Sequence, residues 1–98
     1  MFRLVKRERM KICDAGNHLY FFHCPGCGNA HGFSTEPGRW TFNNDYVQPT
    51  VQPSILCNRD DPQTRCHSFI ENGNIRFLND CHHVLKGLTV TIPDWDSF

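Results

Sequence analysis

Ninety-eight residues suffice for one domain with a modest core, and ten Lys plus Arg against ten Asp plus Glu leave no net charge. That balance excludes a uniformly basic nucleic-acid binder; only residues 1–11 form a basic patch, where Arg3, Lys6, Arg7, Arg9 and Lys11 face Glu8 alone. No apolar run is long enough to cross a bilayer and the first residues are charged throughout, so a cytoplasmic protein without a membrane partner is expected.

In chain order, Phe2, Leu4, Met10 and Ile12 share one parity and Arg3, Arg7, Arg9 and Lys11 the other, the alternation of a half-buried strand. Leu19 to His23 predicts a second strand leading into Cys24-Pro25-Gly26-Cys27-Gly28, and Ala30 to Thr35 its antiparallel return. Trp40-Thr41-Phe42 is a short strand candidate. Pro49 and Pro53 argue against a central strand between Gln48 and Ser54, which reads as an extended loop or edge before Ile55-Leu56-Cys57. Asn72-Gly73, between Cys66–Ile70 and Ile75–Leu78, is the two-residue signal of a type I′ hairpin. Centring the turn there pairs Ile70 with Ile75 and Ser68 with Phe77, and brings Cys66 near Asp80-Cys81-His82-His83. Asp80 is placed to cap a short helical turn ending at Gly87, and Leu88 to Ile92 predicts the last strand. The expected fold is a single, mainly β domain over residues 1–98: small, zinc-stabilised, antiparallel and zinc-ribbon-like, with at most one short helix.

The chemistry concentrates in Cys and His, six of each. In a reducing compartment, cysteines favour metal binding or free thiols over disulfides. Two residues between Cys24 and Cys27 let both sulfurs reach one tetrahedral ion, and Gly28 permits the turn that follows. A redox dithiol would precede a helix in a parallel α/β setting, which the pattern lacks. The cofactor expected is zinc. Its remaining ligands come from the base of the hairpin, with Cys66 and Cys81 completing a four-cysteine site, and His83, His67 and His31 as alternates. Cys66 and His67 point to opposite faces of one strand, so only one of them binds a given ion. Cys13 and Cys57 read as small buried residues, and the many aromatics as core. No catalytic residue stands out: neither a phosphate loop, nor paired carboxylates, nor a Ser-His-Asp order is visible. A structural metal therefore predicts a binding protein more than an enzyme. A zinc-dependent hydrolase or nuclease using the surplus Cys and His, and a nucleic-acid-binding zinc ribbon, are the alternatives.

The elements CPGCGNAH, WTFNND, QPTVQPSIL, RCHSFIENGNIRFLNDCHH and LKGLTVTIPDW, in this order, resemble a family of small phage and prophage proteins over about residues 20–95. That family's pattern falls on Cys24, Cys27, His31, Cys66, His67, Cys81 and His83, and omits Cys13, Cys57 and His82. Asn44 stands where the family tends to have Gly. The resemblance implies a phage or prophage origin, a zinc site and action by binding a host protein or complex in the host cytoplasm.

Overall fold

The computed structural model describes residues 10–97. The expected first strand therefore lies largely outside the described residues, and with it most of the basic patch. The rest is antiparallel β structure in two sheets. Strands β1 (Cys13–Asp14), β2 (Leu19–Cys24) and β3 (Asn29–Ser34) form one. The other, in spatial order, consists of β4 (Thr41–Phe42), β5 (Val51–Cys57), β6 (Cys66–Glu71), β7 (Asn74–Phe77) and β8 (Thr89–Thr91). The mainly β, antiparallel expectation holds. Among the described residues the only helical element is a 3-10 turn at Trp95–Ser97, and no helix is long and apolar enough to cross a membrane.

The hairpin register follows the turn chemistry. Asn72 and Gly73 both have positive φ (52° and 83°), as a type I′ turn demands, and Ile70 pairs with Ile75 and Ser68 with Phe77. Alternation then divides β6. Cys66, Ser68 and Ile70 are buried, while His67 and Phe69 face outward. On β7, Ile75 and Phe77 point inward, and Arg76 lies over the outer Phe69 ring at 4.7 Å. Phe22, Cys24 and Phe33 of the first sheet join Val51, Ile55, Cys66, Ile70, Ile75 and Phe77 of the second in one core cluster.

Two local expectations are corrected. The proline-rich stretch is not an edge: β5 runs between β4 and β6. It tolerates Pro53 because the ladder jumps from Val51↔Ile70 to Ile55↔Ser68, so that Gln52, Pro53 and Ser54 together face only Phe69. Proline has no N–H to donate and is accommodated where the ladder is interrupted. Residues 79–87 are turns and not a helix, and the Asp80 carboxylate does not cap them. Its oxygen is taken by His67.

Candidate functional site

Two constellations meet at β6, one on each face. On the inner face, the Cys24–Cys27 knuckle closes through Gly28 N–H to the Cys24 carbonyl (2.9 Å), with Gly28 at φ 77° and Cys27 N–H directed at the Cys24 sulfur (3.4 Å). Cys24, Cys27, His31 and Cys66 each offer a ligand atom within 4.8 Å of the others. The Cys24 and Cys66 sulfurs are 3.8 Å apart. A tetrahedral ion with metal–sulfur bonds of about 2.3 Å would hold two sulfurs about 3.8 Å apart. His31 enters because β3 returns antiparallel to β2, which sets it opposite Phe22. Its Nε2 is buried with no hydrogen bond of good geometry.

The sulfurs and the imidazole of this cluster set one another's charge. Hydrogen bonding from Cys66 holds the Cys24 thiol far below the usual range, against the effect of burial. Cys66 is correspondingly pushed up by its bond to Cys24 and by burial. Burial disfavours a charged His31, but the sulfurs of Cys24, Cys57 and Cys27 outweigh it and raise the imidazole to about 11.

The other predicted ligands lie at the rim. Cys81 and His83 come within the same distance of Cys66, and His82 and His83 within it of Cys27. The Cys81 sulfur is engaged elsewhere, at 3.1 Å from the His67 N–H and 3.0 Å from the His67 carbonyl. His83 packs edge-on to Phe77 and accepts the Leu85 N–H; a side chain at Gly26 would collide with its ring. His67 does not face the cluster.

On the outer face, His67 stands between a hydroxyl and a carboxylate. Its Nδ1 is 3.2 Å from the Asp80 carboxylate and its Nε2 is 3.0 Å from Ser54 Oγ. The carboxylate can only accept, so Nδ1 carries the proton, and Nε2 is left to accept from the serine. Base within reach of nucleophile, and base oriented by an acid, is the geometry of the Ser-His-Asp triad. The interruption in β5 presents Ser54 to the outer face, and the Trp40 indole N–H braces its carbonyl at 3.2 Å. Alternation on β6 presents His67. The turn after the hairpin supplies Asp80, with Cys81 N–H on the Leu78 carbonyl and His82 N–H on the Arg65 carbonyl. The His67 and Asp80 side chains are 24% and 43% exposed, so the group is open to solvent. A cavity of about 220 Å³ is lined by Gly38, Arg39, Trp40 and Pro53, the residue before Ser54. A larger one, about 510 Å³, lies at the Asn72-Gly73 end of the hairpin and includes none of the three.

Sequence reasoning missed this triad. The signal was present: Pro53-Ser54, Cys66-His67 and Asp80-Cys81 are successive motifs in the order Ser, His, Asp, and the hairpin register already set Cys66-His67 beside Asp80.

The chain matches, over residues 3–78, a family described as the bacterial ubiquitination-like system serine protease, BubE. No curated protein and no solved structure matches it. The match overturns the phage or prophage resemblance and with it the host-takeover reading. It likewise overturns the expectation of binding without turnover, because the family is named for a protease. Ser54 and His67 lie within the matched residues. The chain belongs to the BubE family of serine proteases of bacterial ubiquitination-like systems.

Proposed function

We propose that this protein is a metal-stabilised serine protease acting within a bacterial ubiquitination-like system. Ser54 is the nucleophile, His67 the general base and Asp80 the group that orients the base. The observation that carries this reading is the continuous chain Ser54 Oγ–His67 Nε2, His67 Nδ1–Asp80 at 3.0 and 3.2 Å, in a family named for serine proteolysis.

The chemistry follows from the atoms in place. Ser54 Oγ attacks the scissile carbonyl as its proton passes to His67 Nε2. Asp80 stabilises the resulting imidazolium and holds the ring in the productive tautomer. The imidazolium then protonates the leaving amine, the C–N bond breaks, and the acyl group remains on Ser54 as an ester. Water, deprotonated by the same nitrogen, releases it.

On the inner face, Cys24, Cys27, His31 and Cys66 would hold the metal. Three sulfurs and one imidazole in tetrahedral reach are the donor set of structural zinc, and the unpartnered His31 Nε2 is what such an ion would satisfy. All four positions are taken by protein, so zinc here would crosslink the two sheets and not act on substrate.

An activated serine reacts with a fluorophosphonate, its oxygen displacing fluoride from phosphorus. The wild-type protein is expected to be labelled at one site, and Ser54→Ala to lose labelling while keeping its fold and metal. Labelling of Ser54→Ala at the wild-type rate would sink the assignment.

A further inference from the structure

Cys81 is a buried cysteine, 4% exposed, close enough to Cys66 and His83 to share an ion with them. Its contacts indicate another employment. The β6–β7 ladder ends at Ser68↔Phe77. Leu78 N–H still reaches the His67 carbonyl (2.9 Å), but no strand residue remains to accept the His67 N–H. The Cys81 sulfur takes that place, accepting the N–H at 3.1 Å and lying 3.0 Å from the same residue's carbonyl. A sulfur that close to a carbonyl oxygen must donate a hydrogen to it, since a thiolate and a carbonyl oxygen repel. A metal ligand is a thiolate. The same sulfur therefore does not serve both roles, and the four-ligand group of Cys24, Cys27, His31 and Cys66 is complete without it.

We infer that Cys81 is a positioning residue of the protease. Its thiol clamps the backbone of His67 to the turn that carries Asp80, fixing base and orienting acid relative to one another. This rests on the triad reading above. The clamp is short: Asp80 and Cys81 are adjacent, so one peptide unit separates the residue gripping the His67 backbone from the residue gripping its ring. Among the described residues, the other hydrogen bonds from His67 to that turn are the one from Leu78 N–H at the turn's other end and the Asp80 contact itself.

The test uses the full chain, with a fluorophosphonate as probe and zinc content measured alongside. Cys81→Ala is expected to lower the maximal labelling rate roughly 10–100-fold, the scale on which a displacement of about 1 Å in a catalytic group acts. The probe concentration giving half-maximal rate should stay unchanged, and zinc should remain at the wild-type ratio. Cys81→Ser, whose hydroxyl can accept and donate as the thiol does, should recover most of the rate. A merely structural role would not split the two parameters or be rescued by serine. Wild-type labelling by Cys81→Ala overturns the inference, and so does loss of zinc from Cys81→Ser, which would make the sulfur a ligand. If Cys81→Ala does not fold, the serine variant decides: wild-type zinc with a near wild-type rate supports the clamp, and loss of either overturns it. Persistent labelling of Ser54→Ala would instead sink the triad reading and leave Cys81 apart from it.

Discussion

The two faces of β6 carry different chemistry on neighbouring residues. Cys66, facing in, joins Cys24, Cys27 and His31 at the junction of the sheets; His67, facing out, joins Ser54 and Asp80 on an open surface. The inner group has two buried members, Cys24 and Cys66, and two half-buried ones, Cys27 and His31, and its polar donors cost the fold dearly where they are buried and unsatisfied. The outer group is half-exposed and made of ordinary polar side chains that water could satisfy. The inner face should therefore govern whether the chain folds, and the outer face only what the folded chain does.

The largest effect should come from the inner face. Structural zinc contributes about 10–16 kcal/mol of apparent binding free energy at neutral pH, comparable with the whole stability of about 5–15 kcal/mol of an ordinary domain. Cys24→Ala is thus expected to lose zinc and unfold, as seen by metal analysis and by loss of a cooperative thermal transition, and a strong chelator should do the same to the wild-type protein. A folded Cys24→Ala with full zinc content would break the contrast between the faces.

The outer face should respond in the opposite way. Asp80→Asn keeps the shape but can donate to the imidazole and so favour the wrong tautomer. Labelling or turnover should fall by about 10²–10⁴-fold, as expected for the orienting acid of such a triad. Stability should change by no more than about 0.5–1 kcal/mol, because the pair is partly solvated. Equal losses of stability and activity, measured by denaturant unfolding beside labelling, would mean that the carboxylate is structural.

The same contrast explains what was readable in the sequence. Cys24 and Cys27 announce themselves because a metal knuckle is local: its spacing and Gly28 are consecutive in the chain. Asn72-Gly73 is local too, and it gave the register that divides Cys66 from His67. Ser54 has no such signature. It reaches the outer face only because β5 skips positions around Pro53, and in sequence alone the proline that permits this argues for a loop or edge and against a central strand. Asp80 looked like a helix cap because serine, asparagine and aspartate at turn starts usually are caps; only the position of the His67 ring reveals its partner. His31 was an alternate and Cys81 a preferred ligand for a related reason. Sequence separation ranks neither, whereas strand pairing puts His31 across from Phe22 and the end of β7 leaves Cys81 to the His67 backbone. The family resemblance failed differently: the motifs were real, but their assignment to phage proteins was displaced by the match to a protease family.

The smallest effect tests the boundary between the faces, where His31 and His83 each belong to a group that could hold a metal. His83 Nε2 is 3.7 Å from the Cys66 sulfur, a separation that two donors on one tetrahedral ion would have. Its Nδ1, however, accepts the Leu85 N–H, and burial leaves the imidazole lowered and so neutral, with the Cys24 charge opposing that shift. His83 is thereby accounted for without an ion, whereas the buried His31 Nε2 is not. Replacing a ligand removes a bond to the metal; replacing a supporting neighbour typically costs about 10–100-fold in affinity at most. His31→Ala should therefore weaken zinc binding by more than about 100-fold, and His83→Ala by no more than about 10–100-fold, measured by competition with a chromophoric chelator. The reverse order would move the fourth ligand from β3 to the Asp80 turn. The metal would then hold that turn directly, joining the two faces into one site in which folding and proteolysis could not be separated.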